Sequence, residues 1–459
     1  MSAVIDDVIA AAQLVPLSQA VEVNPKLDRS SLNDDLDVSF VPMAAVEALS
    51  GGIDVSTVRK YAEVKKGYTH FREGDILFAK VTPCMENGKM AIARKLANGV
   101  GFGSTEFHVL RPRAGVDARY IYYFVSSQTF RKEASGHMTG AVGLRRVPSA
   151  YLEEQLIPLP GIEQQREIVA ELEKQFSRLD EAVANLQRVK ANLKRYKASV
   201  LKDAVEGRLV PLEAELARRE GRSFETGEQL LQRILETRRN SWRGRGKFRT
   251  PEVPKRDASE LPVGWTWSSI DQLADVGTGA TPNRSKVEFW VDGDVPWVTS
   301  GVANGDYVDK ASEFVTQRAL AETNLTLYPA GTLLVAMYGE GKTRGKCAEL
   351  RIPATTNQAL AAVQVNDQVR AYVRHFLELN YEEMRKVASG GVQPNLNLSL
   401  VRAVAVPLPP LVEQVRIVSE VDRRLSLVHG VEAEVDANLK RAARLRQSVL
   451  AAAFSLSNI

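Results

Sequence analysis

The sequence predicts two mixed α/β (α+β) globular domains separated by two long helices that form an antiparallel coiled coil, the whole an internal repeat with pseudo-two-fold symmetry. Three observations predict it. A shift of 249 positions places IPLPGIEQQREIVAELEKQFSRL, from Ile157, on VPLPPLVEQVRIVSEVDRRLSLV, from Val406, without a gap. Pro158, Leu159, Pro160, Gln165, Ile168, Val169, Glu171 and Ser177 then meet Pro407, Leu408, Pro409, Gln414, Ile417, Val418, Glu420 and Ser426, and Ser199, Val200 and Leu201 still meet Ser448, Val449 and Leu450. Second, each copy carries apolar residues at steps of three and four, the spacing of a helical seam. Third, the stretches before the two copies share an order of short strands followed by a helix.

The first globular domain spans residues 1–156. GDILFAKVTP, from Gly74, and GFGSTEFHVLRP, from Gly101, are apolar or alternating runs closed by Gly and Pro, which marks strands. Ala118–Lys132 reads as one aromatic-rich helix. Residues 157–209 form the first spacer helix, with a seam at Val169, Leu172, Phe176, Leu179, Val183, Leu186 and Leu193, interrupted by Lys190 and Lys197. Proline stands only before its first turn, where a missing N–H costs nothing. Residues 210–260 are a connector with a short helix, roughly 226–242, and then a basic run. The second globular domain, 261–405, opens on LPVGWTW and offers GDVPWVTSG, AGTLLVAMYG and AAVQV as strands, then Val369–Lys386 as the matching helix. The second spacer helix, 406–459, repeats the seam at Val418, Val421, Leu425, Val428, Val435 and Leu439, with Glu432 and Arg446 interrupting. Two matched seams, each too narrow for a domain core, bury each other most simply as a rod of roughly 65 Å.

Composition bounds the function. The chain holds 60 Lys and Arg against 56 Asp and Glu, a formal charge of +4, so any affinity for nucleic acid rests on local basic surfaces. Cys84 and Cys347 match no ligand spacing and read as reduced thiols of a cytoplasmic protein. The N-terminus lacks the pattern of a signal peptide, and no apolar run approaches the roughly 20 residues of a membrane span. Gly341-Lys342-Thr343 ends like a phosphate-binding loop, but Ala336 stands where its first glycine belongs. No Asp/Asn-Pro-Pro-aromatic tetrapeptide, cofactor-type Gly-rich loop or metal-ligand cluster is present, and His70, His108, His137, His375 and His429 are scattered. The chain reads as a binding protein that is not an enzyme.

Basic and polar residues gather in the predicted loops. Lys80, Lys89, Arg145 and Arg146 in the first domain, and Arg284, Lys286, Tyr338, Lys342, Arg344 and Lys346 in the second, are candidates for DNA binding. Gln393, Asn395 and Asn397 lie in GGVQPNLN, whose amides suit base edges, whereas Lys and Arg supply phosphate contacts. The plain alternative for each is a solvated charge or a turn amide.

The doubled Pro-Leu-Pro…Gln…Ile-Val helix start, GDILFAKVTPCMENGKMAIA, GFGSTEFHVLRP, LPVGWTW and GGVQPNLN, in this order, resemble the specificity subunits of type I restriction–modification enzymes over nearly the whole chain. The resemblance implies that each globular domain is a target recognition domain reading one half of a bipartite double-stranded DNA target, with the coiled coil as spacer. It implies two methyltransferase (modification) subunits and two motor–nuclease (restriction) subunits as partners. It also implies that this chain binds no cofactor, S-adenosylmethionine, ATP and Mg belonging to those partners. The matching positions point to Lys80–Lys89 and Lys342–Lys346 as loops near DNA. In the first domain GAVGLRRVP replaces GGVQPNLN, so Arg145 and Arg146 stand in for its amides. A non-catalytic coiled-coil scaffold with two protein-binding domains is the alternative from another class, and a metal-dependent nuclease a further one.

Overall fold

The computed structural model describes residues 12–28, 32–141, 143–242, 248–254, 256, 261–338, 343–380, 384 and 396–454. They form two compact units, 1–189 together with 434–459, and 190–433. Each unit holds one globular domain and parts of both long helices.

In the first unit, β1 (Leu14–Pro16), β2 (Val21–Val23), β3 (Asp37–Val41), β4 (Val58–Lys60), β5 (Thr69–Arg72), β6 (Ile76–Ala79), β7 (Met90–Ile92), β8 (Val100–Gly103) and β9 (Phe107–Pro112) precede helices α1 (Ala118–Ser126) and α2 (Gln128–Gly136). The hairpin β10 (Thr139–Ala141) and β11 (Leu144–Arg146), α3 (Ser149–Glu154) and β12 (Leu156–Pro158) lead into the long helix α4 (Ile162–Val205). Strands pair in the orders β2-β9-β6-β7 and β4-β3-β8-β5, and β1 pairs with β12. The run ILFA of β6 is apolar throughout because both faces are covered. Ile76 and Phe78 enter the core that holds α1, while Leu77 and Ala79 enter a second cluster with Val41, Phe71 and Val109.

After α4, helices α5 (Glu213–Glu220) and α6 (Gly227–Asn240) come first in the second unit. Its strands are β13 (Thr266–Ser269), β14 (Ala274–Thr278), β15 (Val295–Val298), β16 (Tyr307–Val308), β17 (Glu313–Val315), β18 (Leu333–Ala336), β19 (Cys347–Leu350), β20 (Thr355–Thr356) and β21 (Leu360–Val365). Then come α7 (Arg370–Leu379), α8 (Leu398–Arg402), β22 (Ala405–Leu408) and the second long helix α9 (Leu411–Ala453). The orders β14-β21-β18-β19-β16 and β17-β15-β20, with β13 on β22, repeat those of the first unit except that β16 is added at one edge and no strand corresponds to β5. Even the parallel pair β3–β8 has its counterpart in β15–β20. Leu333 and Val335 face one core and Leu334 and Ala336 another, as in β6.

The repeat extends to single hydrogen bonds. Tyr120 Oη donates to the Pro158 carbonyl at 2.6 Å, and Tyr372 Oη to that of Pro407 at 2.7 Å. Gln165 and Gln414 each donate from Nε2, at 2.8 Å, to the carbonyls of Pro160 and Pro409. The tyrosine bonds tie α1 and α7 to β12 and β22, and the glutamine bonds tie the first turn of each long helix to the segment just before it.

The long helices pack on each other within each unit. In the first, Val169, Leu172 and Phe176 share a core with Leu450, Ala453 and Phe454, and Arg446 lies over the Phe176 ring and reaches Asp180 at 2.6 Å. In the second, Val200, Leu201 and Ala204 share a core with Ile417, Val421 and Leu425. The start of each helix thus meets the end of the other, the antiparallel sense. Val169, Leu172, Phe176, Val421, Leu425, Val428 and Val435 are buried, and Leu179, Val183, Leu186, Leu193, Val418 and Leu439 half-buried. The interruptions are accommodated at the margin: half-buried Lys197 pairs with Glu378 at 2.7 Å.

Three expectations change. Ala118–Lys132 is two helices, because Ser127 is extended (φ −63°, ψ 147°) and its hydroxyl caps the second by accepting from Phe130 N. The helix expected over Val369–Lys386 is described as Arg370–Leu379, capped at Asn380, with 381–383 and 385–386 outside the described residues. The connector holds two helices rather than one, and Leu230, Leu231 and Ile234 of α6 are buried in the second unit's core. A capping box between Thr226 and Gln229 sets where α6 begins. Of the basic run, 243–247 lie outside the described residues.

Candidate nucleic-acid interface

In the first unit β6 delivers the chain to Lys80, and the hairpin β10–β11 docks beside it. Val147 N donates to the Lys80 carbonyl at 2.9 Å and Thr82 N to the Arg145 carbonyl at 3.0 Å, while Val81 and Arg146 form a bridge. Lys80, Arg145 and Arg146 are thereby brought together although about sixty residues of chain separate them. Lys89, at the far end of the same loop, is turned onto the Met43 carbonyl at 3.1 Å and does not join them.

Two carboxylates complete this surface. Arg146 forks onto Glu106, Nε to Oε2 at 2.8 Å and Nη2 to Oε1 at 2.6 Å. That bond holds the Glu106 carboxyl below its usual range and raises Arg146. Half-buried Lys80 is pulled down by desolvation, partly offset by Glu106. Arg145 Nη2 stands 3.8 Å from Glu86 Oε1. Buried Arg131 donates to the Glu86 carbonyl and, at 3.2 Å, to that of Ser126, fixing the loop from beneath.

The second unit repeats the frame with other residues. Leu396 N donates to the Met337 carbonyl at 3.2 Å, as Val147 does to Lys80. The loop between β18 and β19 carries Tyr338, which is 39% exposed, and half-buried Arg344. Its end is pinned by Asn304, whose Oδ1 accepts from Lys346 Nζ at 3.1 Å and Thr343 Oγ1 at 3.2 Å. Lys342, Gln393 and Asn395 lie outside the described residues. Asn397 caps α8, its Oδ1 accepting from Leu400 N at 2.9 Å, so that oxygen is engaged locally.

Arg284 and Lys286 sit in an aromatic cluster ahead of β15. The Arg284 guanidinium stacks 3.8 Å from the centroid of Trp290 and 5.0 Å from that of Trp297, and bonds Glu313 at 2.5 Å. Lys286 Nζ lies 4.8 Å from the Phe289 ring centroid.

Glu106, Glu86 and Asn304 escaped the reading of the sequence. They matter only through the residues they hold, and the strand register that brings Ala79 opposite Phe107 leaves no local signature around Glu106. Among the described residues no group of His, Cys, Asp and Glu could hold a metal ion, and no helix is long and apolar enough to cross a membrane. What the surfaces offer is guanidinium forks, ammonium groups and exposed loop edges, which bind anions and read polar edges.

The sequence pattern of the family described as "Type I restriction modification DNA specificity domain" matches residues 14–194 and 262–436. The chain is 31% identical over 303 residues to the type I restriction enzyme EcoAI specificity subunit of Escherichia coli, a match covering 56% of this chain and 50% of that protein. It is 25% identical over 468 aligned positions to the EcoEI specificity subunit of Escherichia coli, covering 89% and 76%. Among solved structures, it superposes with a TM-score of 0.67 at 20% identity, covering 96% and 97%, on a chain from work on assembly and conformational transition of the type I R-M system. The HsdS subunit from Thermoanaerobacter tengcongensis gives 0.50 at 20% identity, covering 97% of both chains, so these two likenesses concern the fold.

Proposed function

This chain belongs to the type I restriction–modification DNA specificity family, and we propose that it is the non-catalytic subunit through which such a complex finds its target in the cytoplasm. Each globular domain reads one half of a bipartite duplex sequence. The paired long helices set the separation of the half-sites and dock two methyltransferase subunits, and two motor–nuclease subunits complete the restriction enzyme. S-adenosylmethionine, ATP and Mg serve those partners. The observation that carries this reading is the repeated loop. In two domains of one topology, the segment before each long helix is hydrogen-bonded to the residue after a central strand, at Lys80 and at Met337, and basic residues gather beside both. One frame with two different surfaces fits two half-sites of different sequence.

The test is adenine methylation across the host genome with this gene intact and deleted. Loss of methylation at one two-part motif is the expected result and reveals both half-sites. An unchanged methylome in cells that express the partner methyltransferase would overturn the reading and favour a scaffold with two protein-binding domains.

A further inference from the structure

The cations of the first unit are already occupied in the free protein. Arg146 is 40% exposed and Glu106 27%, so their fork is a surface feature rather than a buried tie. A half-exposed pair of this kind contributes little to stability. The guanidinium fork held by a carboxylate is, however, the same one that would grip a phosphate. Glu106 is held independently of the hairpin. Its N–H donates to Ser104 Oγ at 3.2 Å and its carbonyl accepts from Lys80 N at 2.9 Å, so its backbone stays anchored if the hairpin shifts. Lys80 faces the same carboxylate, and Arg145 faces Glu86. In the second unit Glu313 holds Arg284, but the neutral amide oxygen of Asn304 holds Lys346.

We propose that Glu106 is a specificity-determining residue: it occupies the Arg146 fork as an internal competitor for DNA phosphate, so that Arg146 is released to DNA only when the domain is seated on its target. The proposal rests on the DNA-reading role given above. A duplex of any sequence offers phosphates, and for these Arg146 must exchange one anionic partner for another with little gain. A target duplex adds base contacts that offset the exchange. Glu106 thereby lowers affinity for DNA at large more than affinity for the target.

The test uses the full-length chain in equilibrium binding across a salt series. The probes are a mixed-sequence duplex of about 30 base pairs without the target, and one carrying the motif found in the methylome. Glu106→Gln keeps size and an acceptor oxygen but removes the charge. It should tighten non-target binding about threefold or more and steepen its salt slope by about 0.9, the signature of one added phosphate contact. Target binding should tighten less, so discrimination falls. In an Arg146→Gln background the same change should give a clearly smaller gain, left to Lys80 and the lost charge alone. Unchanged or weaker non-target binding by a Glu106→Gln protein that melts as the parent does would overturn the proposal. So would an equal gain on both duplexes, or a gain of full size without Arg146. Should Glu106→Gln not fold, Glu106→Asp, which keeps the charge but shortens its reach, should give a smaller gain of the same sign, and no gain there counts against the proposal. Failure of the parent protein to bind either duplex would overturn the DNA-reading role itself, and is visible before any variant is compared.

Discussion

Two buried histidines answer to pH in opposite senses, one in each unit. Burial alone would lower the pKa of His375, but its Nε2 bond to Asp422 Oδ1 at 2.9 Å and its approach to Glu378 at 3.8 Å outweigh that, and the net shift from 6.5 is upward. The folded second unit therefore holds the proton more tightly than the unfolded chain. This contribution is fully present below pH 6.5 and is lost as pH rises through the raised value. His108 in the first unit is the reverse. Burial lowers its pKa from 6.5, more than the bond to the Val147 carbonyl raises it, and Asn24 Nδ2 supplies a donor to its Nδ1 at 3.0 Å. Below pH 6.5 the unfolded chain takes up a proton that the folded unit refuses, so the first unit loses stability as pH falls; burial lowers His70 likewise. Amide hydrogen exchange, corrected for the intrinsic pH dependence, should show the first unit relatively less protected near about pH 5.5 and the second near about pH 8. His375→Gln should abolish the alkaline trend in the second unit and leave the first unit's acid trend intact. A second unit whose protection has the same pH trend with and without His375 would refute this assignment.

At the scale of elements, burial along one helix decides what a substitution does. Leu425 is 6% exposed in the seam and Leu427, two residues on, is 61% exposed. Leu425→Ala should cost about 2–5 kcal/mol in a melting or denaturant experiment, and Leu427→Ala no more than about 0.5 kcal/mol. Equal effects would mean that the two helices do not bury this face on each other. Asn397 makes a related distinction, since its oxygen caps α8. Asn397→Ala should lower stability by about 1 kcal/mol and Asn397→Asp, which also caps, should not. A loss of DNA affinity in the stable Asp variant would assign the remaining amide to the interface. These elements also show what a sequence can carry. The long helices were legible because a seam at steps of three and four admits no strand, and β6, β9 and β18 because apolar or alternating runs closed by Gly or Pro admit little else. The break at Ser127 was not, because a serine inside a helix and a serine capping one look alike until the backbone is seen. The connector's place in the second core was half legible, with Leu230, Leu231 and Ile234 on one face but no sign of what that face meets. Basic residues marked the candidate interface, whereas Glu106 is joined to Arg146 across 40 residues by strand pairing alone.

Over the whole molecule, the division into units is unequal in the chain. The second unit is one continuous stretch, 190–433, while the first takes 1–189 and borrows 434–459 from the far end. The borrowed piece is core. Leu450, Ala453 and Phe454 are buried among the residues of α1, α2 and α4, and the Phe454 ring meets Tyr120 at 5.3 Å and Phe124 at 5.6 Å between centroids. Losing a buried Leu and a buried Phe costs about 2–5 kcal/mol each, against a typical domain stability of about 5–15 kcal/mol. The second core, by contrast, draws on no residue outside Val200–Leu425 among its buried members. A fragment of residues 190–433 should therefore fold alone, with a cooperative melt and protected amides in β18 and β21. A fragment of residues 1–189 should melt far lower or not fold, and adding a peptide of residues 434–459 should restore protection to α1 and raise its midpoint with the logarithm of peptide concentration. A fragment 1–189 that is as stable alone as with the peptide would show that the first recognition domain has a core of its own. The long helix would then be a passenger on it, and the symmetry of the repeat would be complete in energy as well as in topology.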